Sequence, residues 1–270
     1  MNSLTSNKYI LASKDFLDSE SILAKFTFLI LVIIVFVILL KLGINLLSYF
    51  LTPSVSPHLI NGMISGKNSQ LIFSQDPNSG SSVSILRSNN ANNGIEFSWS
   101  VWLFIEDLVP TTQYKHIFSK GNDSVQSNGL IYPNNCPGLY INPDTNALTV
   151  IMNTFYVSDH EIVVTDIPLN KWFNVIIRVQ NKICDIYING MIAKSHEFVG
   201  VVKQNYGDVY VGLNGGFDGN LSNLWYWDYA LGTTQISNIA NWGPNTKLAT
   251  QNQVLMKDVN YLSLDWYMNQ

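Results

Sequence analysis

The sequence predicts an all-β sandwich preceded by one N-terminal transmembrane helix. Three observations carry this. Short stretches with two-residue hydrophobic alternation recur beyond residue 94, Asn189-Gly190 sits between two of them, and an unbroken apolar run lies near the N-terminus. Alternation sends successive side chains to opposite faces, so each stretch reads as a half-buried strand. Asn-Gly accepts the positive φ of a two-residue hairpin turn. Many short strands divided by turns, with almost no helical pattern, make a sandwich.

The elements follow in order. Residues 1–25 read as an N-terminal segment leading to the span. Residues 26–51, "FTFLILVIIVFVILLKLGINLLSYFL", form the apolar run, with Thr27 the one non-apolar residue between Lys25 and Lys41. That inner part spans roughly 22 Å as a helix, short of the roughly 30 Å hydrocarbon core. Continuing to Leu47 and beyond makes it long enough, with Lys41 snorkelling and Tyr49 at the interface. Phe26, Leu31, Phe36 and Leu40 then face lipid, since a stretch apolar on every side suits neither a surface helix nor a half-buried one. A cleaved signal peptide fits poorly, because the lead is long and Pro57 follows the small residues Ser54 and Ser56.

Residues 52–80 read as a polar spacer broken by Pro53, Pro57, Gly62, Gly66 and Pro77. The sandwich is expected over 81–245, beginning with "SSVSILRS" as a strand. In "EFSWSVWLFI", Phe97, Trp99, Val101 and Leu103 share one face. "HIFSK", "GLYIN" and "ALTVIMNT" follow. "KWFNVIIRVQ" sets Phe173, Val175, Ile177 and Val179 against Asn174 and Arg178. "ICDIYINGMIAKSHEF" is the hairpin, with Cys184 and Ile186 opposite Asp185 and Tyr187. "GTTQISNIANWGPN" predicts one short helix, capped at Gly232 and stopped by Gly243-Pro244, with Ile236 and Ile239 toward the sandwich. In the tail, 246–270, Leu262, Leu264 and Trp266 alternate, as in a strand added to a sheet edge or docked on a partner.

Composition excludes some classes. The 270 residues carry a formal net charge of −4 with no Lys/Arg cluster in the body, which argues against nucleic acid. Cys136 and Cys184 are too few for a disulfide framework or zinc site. They read as a loop residue and a small core residue respectively. His116, His160 and His196 show no metal spacing.

The order "FSWSVWLFI", "HIFSKGN", "GLYIN", "CDIYINGMIA" and "VYVGLNGGFDGNLSNLWYWDYALGTTQI" resembles the laminin G-like members of the concanavalin A-like lectin/glucanase superfamily. Phe217, Asp218, Gly219, Leu221, Leu224, Tyr226, Ala230, Leu231 and Ile236 occupy the shared positions of the closing run. The resemblance implies a jelly-roll of two antiparallel sheets. Where the family often carries an acidic pair, this chain has Ser222 and Asn223, and Trp225 stands at the usual arginine position. The paired strand carboxylates of a glucanase are missing from the sandwich, so no catalytic residue is expected. No cofactor is expected either; calcium is the candidate metal, with Asp123, Asp144 and Asp218 as scattered oxygen donors.

The candidate binding surface is Trp225, Trp227, Tyr187 and Trp102. Alternation puts Trp225 and Trp227 on one face, opposite Leu224 and Tyr226, and outward tryptophans mark a contact surface. An N-terminal anchor, an asparagine-rich spacer and a lone domain of this kind resemble virion components of large DNA viruses. That resemblance implies a non-catalytic minor capsid protein, linking the inner membrane to the shell through capsid protein contacts. The alternative is a surface lectin binding glycans. Membrane lipid is the other expected partner.

Overall fold

A computed structural model describes residues 21–249, apart from 52, 77, 80, 81, 92 and 93. The tail strand expected around Leu262, Leu264 and Trp266, and most of the lead, lie outside the described residues. The chain divides into two compact units at residues 52 and 53.

The first unit holds helix α1 (Ile22–Leu51). Its stretch from Ile22 to Tyr49 has a mean hydropathy of 3.1 and is long and apolar enough to cross a membrane. Twenty-eight helical residues reach about 42 Å. Thr27 hides its hydroxyl by donating to the Leu23 carbonyl at 2.8 Å, so the one polar side chain in the inner run does not break the helix.

The second unit is the sandwich. Its strands are β1 (His58–Ser65), β2 (Leu71–Phe73), β3 (Asn89–Ala91), β4 (Gly94–Ile105), β5 (Lys115–Gly121), β6 (Asn135–Ile141) and β7 (Ala147–Met152). Then come β8 (His160–Thr165), β9 (Trp172–Gln180), β10 (Ile183–Ile188), β11 (Met191–Glu197), β12 (Asp208–Val211) and β13 (Gly219–Trp227). One sheet runs β1-β13-β4-β9-β10-β11, with β3 also on β4; the other runs β2-β12-β5-β6-β7-β8. Every strand pairing is antiparallel.

The alternation read from sequence sets the layers. Phe97, Trp99, Val101 and Leu103 on β4, and Phe173, Val175, Ile177 and Val179 on β9, are buried in one core between the sheets. Trp99 lies 5.0 Å from Tyr226 and 5.3 Å from Phe118, joining β4, β13 and β5 through one aromatic contact set. The β10–β11 hairpin turns at Asn189 (φ 51°) and Gly190 (φ 79°), as the Asn-Gly pair requires.

Helix α2 (Thr233–Trp242) lies on the outer face of the seven-stranded sheet. Ile236 and Ile239 pack there with Ile176, Trp227 and Leu231 in a second, smaller core. The Gly232 N–H donates to Gln235 Oε1 at 3.1 Å, closing the first turn. The segment feeding the helix is pinned to the sheet. Ser98 Oγ donates to the Tyr229 carbonyl and accepts from the Leu231 N–H, and Arg178 Nε donates to the Leu231 carbonyl.

Three expectations change. The stretch expected as a spacer, 52–80, supplies β1 and β2, and β1 pairs with β13 along much of its length. The described part of "SSVSILRS", 82–88, is not a strand and holds one isolated bridge, Ser74 to Ser82. Cys136 is in β6 and buried rather than in a loop. Both cysteines are free, and burial pushes the Cys136 thiol up to about 12.

Candidate functional site

The site begins with an irregularity in β13. Leu221, Leu224 and Tyr226 all point into the core, although Leu221 and Leu224 are three apart. Asn223, at φ 51°, takes up the extra residue in a bulge between Ser222 and Trp225. After the bulge Trp225 and Trp227 stand on the outer face, their rings 5.3 Å apart.

Around them is a cleft of about 170 Å³. Ser100 and Trp102 of β4, Trp225 and Trp227 of β13, and His58 and Asn61 of β1 line it; Ile239 and Trp242 of α2, with Gly243 and Asn245, wall it. Trp102 and Trp227 are each 6% exposed and form its floor, whereas Trp242 is 72% exposed at its rim. Trp225 is half-buried between them, tilted against His58 at 4.3 Å.

The polar groups of the cleft are fixed by the return of the chain after α2. Ser222 Oγ donates to the Asn245 carbonyl and accepts from its N–H. Asn245 Nδ2 donates to Asn61 Oδ1 at 2.9 Å. Beyond this, the Met63 N–H donates to the Lys247 carbonyl and the Ala249 N–H to the Met63 carbonyl, so the described start of the tail adds to the β1 edge. Gly62, at φ 117°, makes room: a Cβ there would lie 2.9 Å from the Lys247 carbonyl oxygen.

Two polar atoms beside the cleft, His58 Nε2 and Asn223 Oδ1, are buried, and the two side chains interact with each other. Burial pulls the His58 imidazole down to about 4, opposed by hydrogen bonding to the Asn223 side chain and the Ile60 backbone. It is therefore neutral near pH 7, and no charged side chain lines the cleft.

The structure thus brings together three of the four residues expected at a binding surface: Trp102, Trp225 and Trp227. They do not act alike. Trp227 is packed under α2 and is not an outward ring, because the helix covers that part of the sheet. Tyr187 packs against the same cluster and is not among the cleft residues. Sequence reading missed His58, Asn61, Asn223, Trp242 and Asn245, which converge only through the β1 pairing and the return after α2.

The expected calcium donors do not gather. Among the described residues, no group of three His, Cys, Asp or Glu side chains could hold a metal. Asp218 is instead held by Lys67 at 2.9 Å and Lys115 at 3.3 Å. The Lys67 hydrogen bond, aided by Lys115 and opposed by burial, lowers its pKa. His116 is a structural residue: Nδ1 accepts from the Leu213 N–H, Nε2 faces Ser119 Oγ at 2.9 Å, and burial lowers its pKa to about 3.

Sheet order, core and cleft together define a two-sheet β-sandwich module with an aromatic-lined cleft on one outer face. The chain belongs to the concanavalin A-like lectin/glucanases superfamily, whose family model matches residues 77–237. No curated protein matches the sequence. Among solved structures, it is similar to the receptor binding domain of botulinum neurotoxin D, at 18% identity and a TM-score of 0.47, over 67% of this chain and 43% of that one. It is also similar to the binding domain of Paraclostridial Mosquitocidal Protein 1, at 14% identity and a TM-score of 0.43, over 69% of this chain and 47% of that one. The matched region is less than half of either of those chains.

Proposed function

We propose that this chain is a membrane-anchored, non-catalytic glycan-binding module, taking a neutral sugar in the tryptophan cleft. One observation carries the reading. Trp225 and Trp242 offer aromatic faces beside an uncharged set of polar groups that includes His58, Asn61 and Asn223. A sugar ring has apolar C–H faces and hydroxyls at its edge, so rings and neutral polar side chains in one cleft answer both. A charged ligand would find no counter-charge there. Helix α1 holds the module at a membrane. The capsid-linking role drawn from resemblance finds no counterpart in the family match or in the cleft, and the lectin alternative takes its place.

The test is a glycan array probed with the full chain in detergent, followed by titration of the best ligand against tryptophan fluorescence. Binding is expected, with Trp225→Ala weakening it about tenfold or more while the fold is kept. No glycan bound, or a ligand whose affinity ignores both Trp225→Ala and Asn223→Ala, would sink the reading.

A further inference from the structure

A second pocket, of about 140 Å³, is lined by Gln75, Ser84, Ile85, Arg87, Lys120 and the segment Gln204 to Tyr206. It shares no residue with the tryptophan cleft. Its chemistry is set by Lys120, on β5, which is 5% exposed. The Lys120 ammonium donates to the Gly207 carbonyl at 2.6 Å, leaving two N–H groups for another acceptor. Among the described residues, no carboxylate forms an ion pair with it. Asp208 attracts it from a distance, without an ion pair, and its Oδ1 accepts from the Gln75 N–H at 2.8 Å.

A buried ammonium without a counter-ion is costly, and proteins rarely keep one unless something else pairs with it. Desolvation here pulls its pKa down to about 8. The second cation, Arg87, is exposed at the same pocket and is also without a carboxylate partner among the described residues. Neutral groups hold it in place: Nε donates to Gln204 Oε1, NH1 donates to the Tyr206 hydroxyl, and the guanidinium lies 5.8 Å from the Tyr206 ring centre. The other polar side chains are already satisfied or neutral. Gln75, for example, spends its amide on the Phe73 and Val83 carbonyls and accepts from the Ile85 N–H. The space is far more than the roughly 10–15 Å³ a single water needs.

We propose that this pocket binds a small oxyanion, a phosphate or carboxylate group, between the buried Lys120 ammonium and the Arg87 guanidinium. Lys120 supplies a point charge at the base, and Arg87 supplies planar donors at the mouth, the geometry that suits a two-oxygen acceptor.

The experiment follows thermal unfolding of the full chain in detergent micelles, with inorganic phosphate or acetate titrated against chloride at matched ionic strength. A saturable rise in melting temperature is expected with at least one of them. Phosphate alone assigns phosphate-bearing ligands; acetate alone assigns carboxylates. Arg87→Gln should weaken the response about tenfold or more. Lys120→Met should abolish it, the anion-free melting temperature serving only to check the fold, because the Gly207 carbonyl loses its donor as the charge is removed. Should Lys120→Met fail to fold, the exposed Arg87→Gln variant decides alone. Trp225→Ala should leave the response intact. If neither anion moves the melting point, or if Arg87→Gln responds like the parent, the proposal is overturned.

Discussion

At the residue scale, His58 controls how the cleft behaves with pH. Its pKa, lowered by burial to about 4, lies below the ordinary histidine value of about 6.5. Between those values the folded protein keeps the ring neutral while an unfolded chain would protonate it. Stability from this residue is therefore complete above about pH 6.5 and declines as pH falls toward 4. Glycan affinity, in contrast, is expected to stay flat from pH 8 to about pH 5.5, because the cleft stays uncharged. Titration across that range checks it, and an affinity midpoint near pH 6.5 would contradict the neutral cleft. Asp218 carries the opposite sign. Its pKa is depressed by Lys67 and Lys115, so its contribution is present above about pH 4 and is lost as pH falls through the folded value. Asp218→Asn should lower stability at pH 7 by no more than about 1 kcal/mol, given the exposed partner Lys67. The difference should shrink at pH 3, as read from denaturant midpoints. Nearby, Gly219 is a stronger constraint: at φ 145° its Cβ would lie 2.0 Å from the Phe104 carbonyl oxygen. Gly219→Ala should cost about 2 kcal/mol or more.

At the element scale, α2 and the β13 bulge turn a plain sheet face into a cleft. Ile236 and Ile239 seat the helix on Trp227 and Leu231, and Ile239 and Trp242 then form the wall. Ile236→Ala removes a buried side chain that does not line the cleft. It should cost about 2–4 kcal/mol by denaturation and also weaken sugar binding, because the wall is no longer held. Unchanged affinity in a destabilised Ile236→Ala protein would show that the helix does not shape the site. These elements also mark the limit of what the residues disclosed. Alternation on β4 and β9, the Asn189-Gly190 turn and the helix from Thr233 were legible because each is a local signal with a fixed period or turn residue. Strand β1 was not, since Gly62 within "HLINGMIS" reads as a break, whereas its positive φ is what lets Lys247–Ala249 lie alongside. The cleft was half legible. Its tryptophans stand out in the sequence, but their partners come from β1 and the return after α2, and no local pattern reports such long-range pairing. Trp227 was misjudged for the same reason, as the alternation of a strand does not show which part of its outer face a helix will cover.

At the scale of the whole molecule, the prediction concerns α1 as an anchor. Fourteen of the fifteen residues from Phe26 to Leu40 are Phe, Ile, Leu or Val. At about 0.3–0.6 kcal/mol each on an insertion scale, they favour the bilayer by about 4–8 kcal/mol. An arginine near the centre of a span costs about 2.5–3.5 kcal/mol on the same scale. Replacing Leu31, Phe36 and Leu40 together by arginine therefore adds about 8–10 kcal/mol and removes three favourable residues, enough to reverse the sign. The parent chain should stay with membranes through alkaline carbonate washing, and its intact mass should still include residues 1–51. The triple variant should wash off. Because α1 and the sandwich are separate compact units, that variant should bind sugar with unchanged affinity. A parent chain cleaved ahead of Pro53, or a triple variant that resists extraction, would show that α1 is not the anchor.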